Sequence, residues 1–240
     1  MSTDETERLR GKTQVSKRTS TVPRRQLRSQ AFERNVFINC PFDEDYFPLL
    51  RPLLFTVIFS GFIPRIASER FDSFENRLNK IGALIRESRY SIHDLSRIKA
   101  KEAGEFARMN MPFELGMDLG ARLFGSRSLN SKKCLILESS RYDFMKALSD
   151  LSGVDIKSHR NEPEDVVRAV RDWLVETAGL HHAPPPTAIW YTFAATFTTD
   201  FYNDRQSKGF TEKDLDMMPV PEYIDFIRDW VAQKSIGAEV

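Results

Sequence analysis

The sequence predicts an α/β fold: a flavodoxin-like three-layer sandwich with a five-stranded parallel sheet of order 2-1-3-4-5, plus a C-terminal helical extension. Three observations carry this. Five short apolar runs alternate with segments of helical length and period between residues 35 and 174, and successive strand-helix units require parallel strands with helices on both faces. Gly61, Gly125 and Gly153 stand at the ends of helical patterns, and Pro163 opens the next, as helix stop and start signals do. After Ala183-Pro-Pro-Pro186 the composition turns aromatic, which marks an added element.

The elements follow in order. Residues 36–40 are a short apolar run. Residues 46–60 have apolar residues at helical spacing (Tyr46, Leu49, Leu50, Leu53, Leu54, Val57, Ile58) and are stopped by Gly61. Residues 62–67 read as the second strand. Ser73 is a candidate cap for a helix over 74–87, with Leu78, Ile81, Leu84 and Ile85 on one face. Residues 90–95 are the third strand, followed by a loop over 96–109. The next helix starts near Asn110, a good N-cap residue, tolerates Pro112 in its first turn and ends at Gly125. Residues 134–137 read as strand four, 141–151 as a helix closed by Gly153, and 154–157 as a weak fifth strand. An amphipathic helix through Val166, Val167, Val170, Trp173 and Leu174 completes the body.

Three segments result: a polar tail over 1–33, the α/β domain over 34–180, and an aromatic helical extension over 187–240, packed on the body or on a partner. At 240 residues the chain can bury one sizeable core plus an appendage. With 35 basic against 34 acidic residues, no global field draws nucleic acid to the body. The tail carries Lys12, Lys17, Arg18, Arg24, Arg25 and Arg28 without an acid among them, so contact with nucleic acid stands beside the plainer reading of a solvated tail. Cys40 and Cys134 lie in strand-like runs and read as buried free thiols of a reducing compartment. No apolar stretch reaches the roughly 18 residues of a membrane span. A cytoplasmic protein with no membrane contact is expected.

In an open α/β sheet, ligands bind outside the carboxyl ends of the strands, where strand order reverses. That rim should collect Asn39, Cys40, Pro41, Phe42 and Asp43 after strand one, Ala67 to Asp72 after strand two, and Asp94, Ser96 and Arg97 after strand three. The helix starting at Asn110 points its N-terminus at the same region. On it, Glu114 and Asp118 share a face, while Gly116 and Gly120 at the same spacing suit close helix-sheet packing. Glu114 can be an acid stabilised by the helix dipole, or a carboxylate enclosed by Met111, Phe113, Leu115 and Met117. A carboxylate in such a pocket suits reactions through an oxocarbenium ion, including cleavage of an N-glycosidic bond. Asp94 or Ser96 would hold ribose hydroxyls. His93, alternating with Asp94 along the strand, reads as a core histidine. There is no Gly-x-Gly-x-x-Gly fingerprint, Walker loop, Gly-x-Ser-x-Gly elbow or zinc-spaced Cys/His set, so neither a metal nor a resident cofactor is expected.

Three stretches carry a family resemblance: Val36-Phe-Ile-Asn-Cys-Pro-Phe-Asp43, Leu84-Ile-Arg-Glu-Ser-Arg-Tyr-Ser-Ile-His-Asp-Leu-Ser-Arg97 and Asn110-Met-Pro-Phe-Glu-Leu-Gly116. They resemble the opening strand, third strand and catalytic helix of the TIR and nucleoside 2-deoxyribosyltransferase-like superfamily, over roughly residues 35–174. The resemblance implies that Glu114 is the catalytic carboxylate and that Asp94 matches an acid at the end of the third strand. It further implies hydrolysis of the nicotinamide-ribose bond of NAD in antiphage defence, or deoxyribosyl transfer, with NAD as substrate. Phe42 and Phe113 would border the base and Arg65 or Arg97 would meet phosphate, with Asn110 and Asp118 completing the site. A non-catalytic nucleotide sensor and an interaction module assembling through the aromatic C-terminus remain as alternatives, with a homo-oligomer in view.

Overall fold

The strands are β1 (Asn35–Asn39), β2 (Ile63–Ile66), β3 (Tyr90–Asp94), β4 (Lys133–Glu138) and β5 (Lys157–Ser158). All pairings are parallel and the order is 2-1-3-4-5, as the alternating pattern predicts. The computed structural model describes residues 30–69, 71–100 and 109–237, of which 235–237 by backbone alone. Most of the tail over 1–33 and most of the loop over 96–109 lie outside the described residues.

Strand alternation sorts the core onto two faces. Val36, Ile38, Tyr90, Ile92, Leu135 and Leu137 pack with α1 (Phe47–Phe59) and α4 (Pro163–Ala178). Phe37 packs on the opposite face with Ile81, Leu84 and Ile85 of α2 (Arg77–Arg86). Ile136 joins Met111 and Leu115 of α3 (Asn110–Phe124) on that second face. β1 and β3, buried along their whole length, are central strands covered on both sides, so they read as continuous apolar runs.

The helix α1 is apolar nearly all round: Leu50, Leu53, Leu54, Phe55 and Val57 are each at most 1% exposed. A helix of that kind must be covered on both sides, and the C-terminal extension supplies the outer cover. It runs as α5 (Pro186–Tyr191), a π-helical stretch (Thr192–Phe197), α6 (Thr198–Ser207), α7 (Glu212–Asp216) and α8 (Val220–Gly237). The Phe55 ring lies 5.4 Å from Phe193, 5.0 Å from Phe197 and 5.9 Å from Trp230. Arg51, the one charged residue of α1, donates to the Leu215 carbonyl at 2.8 Å. The aromatic residues thus pack on the body of their own chain.

Local corrections have local causes. The helix expected over 141–151 is replaced by two 3-10 turns, Asp143–Lys146 and Ser149–Leu151. Tyr142 adopts φ 66°, which interrupts any helix entering from β4, and the Glu138 carboxylate accepts from the Phe144 N–H at 2.6 Å. β5 has two residues, later than the expected 154–157. Ser73 is not the cap of α2: Asn76 is, accepting from the N–H groups of Leu78 and Asn79. Asn110 is the first helical residue of α3 rather than its cap. An added Cβ at Gly116 or Gly120 would meet nothing within 4 Å, so these glycines do not serve close approach to the sheet. Among the described residues no helix is long and apolar enough to cross a membrane.

Candidate functional site

Strand order reverses between β1 and β3, and a cleft of about 560 Å³ opens at the carboxyl end of β1, within the size range of small-molecule sites. The loop after β1 supplies Cys40, Pro41, Phe42 and Asp43 to it. The segment between β2 and α2 supplies Ser68, Phe71, Asp72, Glu75 and Arg77, and the N-terminal end of α3 supplies Asn110, Met111 and Glu114. Parallel topology brings these together, because every strand ends and every following helix begins at the same edge of the sheet.

Glu114 sits in the second turn of α3 with a side chain 5% exposed. Its ion-pair partner is Arg77 in the first turn of α2, at 3.6 Å, whose own side chain is 61% exposed. Burial raises the Glu114 carboxyl above its ordinary value of 4.5, and the Arg77 guanidinium offsets only part of that. Asn39 makes the floor. Its Nδ2 donates to the Met111 carbonyl at 2.9 Å and lies 2.9 Å from His93 Nδ1. A carbonyl only accepts, so that atom is the amide nitrogen, and both its protons are spent. His93 Nδ1 must then accept, which leaves the ring proton on Nε2, 3.3 Å from Asp118 Oδ2.

Asn39, Cys40, Pro41, Phe42, Asp43, Asn110 and Glu114 are therefore gathered in one place as the sequence suggests. Six other residues are not. Asp94 is fully buried and projects, like Ile92, toward the face of α1 and α4. It accepts from the Tyr46 hydroxyl at 2.5 Å and the Ser96 N–H at 2.8 Å, and His159 Nε2 lies 3.1 Å from it. Burial raises its carboxyl, but His159, Ser96 and Tyr46 more than offset this and hold it below 3.8. Asp94 is thus a buried tie between β3, the start of α1 and the end of β5, with Ser96 bound to it. Tyr46→Phe should destabilise the fold by about 1.5–3 kcal/mol, the worth of a hydrogen bond to a charged group. Urea unfolding checks this, with ligand affinity at the cleft expected unchanged.

Arg65 is bound to Glu69 and Glu87 away from the cleft. Arg97 faces Asp43 at 3.4 Å and Asp45 at 3.9 Å, so its charge is engaged at the rim. Phe113 points outward from α3, 55% exposed. Asp118 lies beneath the cleft, accepting from Ser91 Oγ at 2.5 Å and pairing with Lys132 at 3.0 Å. Arg77 joins the site without being among the residues the sequence pattern points to; its signal is its place in the first turn of a helix that begins at the ligand edge.

Two further groups bear on the chemistry. Burial, then the charges of Asp94, Glu114 and Asp43, push the Cys40 thiol well above 9.0, so it is a neutral packing residue and not a thiolate nucleophile. His93, Asp118 and Cys134 have potential ligand atoms within 4.8 Å of one another. Their arrangement fits a hydrogen-bonded network better than a metal centre, because the Nε2 proton of His93 is directed at Asp118 and a cation there would face the Lys132 ammonium. Compared with known proteins, the chain matches no family model, no curated protein and no solved structure.

Proposed function

We propose that the cleft binds a nucleotide and that Glu114 carries cleavage of its N-glycosidic bond, with the nicotinamide-ribose bond of NAD as the concrete substrate. The observation that carries this reading is Glu114 itself: a buried carboxylate, raised by burial, facing a cleft of ligand size at the reversal of strand order. A carboxylate there stabilises positive charge developing at the anomeric carbon. The C1′–N bond breaks, the pyridinium nitrogen keeps the electron pair and leaves as neutral nicotinamide, and water adds to C1′ with loss of a proton. With its amide nitrogen committed to Met111 and His93, Asn39 would offer its amide oxygen to a ribose hydroxyl. Arg77, rather than Arg65 or Arg97, would meet phosphate, and the Phe42 ring would border the base. The resemblance in the strand-one and α3 segments supports the same assignment.

Incubation of the purified chain with NAD and, separately, with purine deoxynucleosides, following free base by chromatography, tests this. Saturable release of nicotinamide is expected. Nucleotide binding by calorimetry without release of base from any of them would contradict it and favour a sensor.

The ionised form of Glu114 is the one that stabilises a cation, so the rate should rise with pH through a value above the ordinary 4.5. Because the Arg77 charge lowers that value, Arg77→Ala should move the acid limb of the pH-rate profile to higher pH. A limb that stays in place would separate Arg77 from the carboxylate.

A further inference from the structure

The outward face of α3 is apolar where a solvated helix would be polar. Met109, Phe113, Leu119, Leu123 and Phe124 are exposed there, at 36% to 87%. The neighbouring α2 side adds Phe71 at 94%, Phe74 at 100% and Leu78 at 50%. These eight belong to a group of twelve exposed large hydrophobic side chains among the described residues, and they lie on, or just before, two helices that pack against each other. The aromatic C-terminus, the obvious candidate for assembly in the sequence, is spent on covering α1.

The shape of the strip is as informative as its composition. Phe113, Gly116, Gly120 and Leu123 recur at helical spacing on one face. Both glycines leave open space where a Cβ would stand, so the strip is bulky at its ends and hollow in its middle. Such a surface lets the same helix of a second copy cross it closely about a two-fold axis, with the hollow of one helix set against the hollow of the other and the bulky ends flanking the crossing.

We propose that this face is the interface of a homodimer, α2 and α3 of one protomer packing against α2 and α3 of a second copy. The area fits. The four phenylalanines alone present on the order of 700 Å². That is above what a monomer usually leaves exposed in one patch, about 300–600 Å², and close to the roughly 800 Å² that each partner contributes to a standard interface. The proposal is independent of the chemistry assigned to the cleft, though the interface borders the cleft mouth where Phe113 adjoins Glu114.

Sedimentation equilibrium of the full chain at tens of micromolar tests it. A mass of twice 27.7 kDa is expected. Phe124→Glu and Phe74→Glu should each weaken the dimer about a hundredfold, since each substitution removes two buried side chains per dimer. They should leave the unfolding temperature of the monomer in place, because these side chains are 87% and 100% exposed. Gly116→Leu separates fit from mere stickiness: it adds apolar area yet fills the hollow, so it should also weaken the dimer. A monomeric wild type, a dimer that tolerates both Phe substitutions, or a dimer tightened by Gly116→Leu would each overturn the proposal.

Discussion

Asp118→Asn is expected to destabilise the fold by about 3–5 kcal/mol, the cost of breaking a buried ion pair by removing one partner, as measured by urea unfolding at neutral pH. Lys132 is 2% exposed and its ammonium donates to the carbonyls of Ile85, at 2.9 Å, and Ser88, and lies 3.0 Å from Asp118. Asparagine would leave that ammonium buried without a counter-charge, while the Ser91 and His93 bonds to the same side chain lose the stronger, charged acceptor. Asp118→Asn combined with Lys132→Met should recover much of the loss, since the double change removes both buried charges.

The pair also predicts a pH dependence. Burial raises the Asp118 carboxyl, but His93, the Lys132 charge and Ser91 more than offset this and bring it to about 2, against an ordinary 3.8. A carboxyl depressed on folding contributes stability that is present above its unfolded value and lost as pH falls through the folded one. About 2 kcal/mol should therefore disappear between roughly pH 4 and pH 2, and Asp118→Asn should abolish that component.

Glu114→Gln is expected to cut turnover about a hundredfold or more with KM changed only a few-fold, because it keeps the shape and removes the charge that acts in the transition state. Its effect on stability should run the other way. The folded protein raises this carboxyl, so the ionised form costs stability at neutral pH, and an uncharged side chain of the same size relieves that cost. A variant that melts no lower than wild type and has lost turnover marks a residue held for function. A variant that loses both would mark Glu114 as structural. Position 118, one turn along the same helix, should behave in the opposite sense, which makes the two substitutions a matched pair.

How far the sequence discloses this arrangement depends on what kind of signal each residue carries. The sheet was legible because parallel strands are apolar throughout, as in Val36-Phe-Ile and Leu135-Ile-Leu, and because the helices between them keep a clear period. The segment over 141–151 was not, since Phe144, Leu148 and Leu151 are also spaced as a helix would space them; the left-handed Tyr142 and the Glu138 carboxylate, which decide the matter, leave no periodic trace. The role of the extension was written in α1: thirteen residues with one charge, Arg51, cannot lie on a sheet with a bare outer side.

Within the site, Asn39 to Asp43 and Glu114 were accessible from topology alone. Alternation along β3 removes Asp94 from the cleft. His93 and Asp94 face opposite sides of the sheet, and α3 covers the side of His93, so Asp94 and Glu114 are separated by the sheet itself. Arg77 is legible in the sequence as a residue of the ligand edge, but its nearness to Glu114 is not, because only the folded chain brings the first turn of α2 beside α3. Gly116 and Gly120 are legible as a pair, but the sign of their exposure, outward rather than inward, is a property of helix rotation that the glycines themselves do not encode.

The most direct measurement is a crystal structure of Glu114→Gln with NAD bound. The sugar C1′ of the ribose bearing nicotinamide should lie within about 3.5 Å of the Gln side chain at position 114, near enough for a carboxylate to meet the developing cation. The Asn39 amide oxygen should accept from a ribose hydroxyl and Arg77 should turn to phosphate. A nucleotide seated elsewhere on the molecule, or one whose anomeric carbon faces away from position 114, would contradict the assignment of the cleft and of Glu114 together.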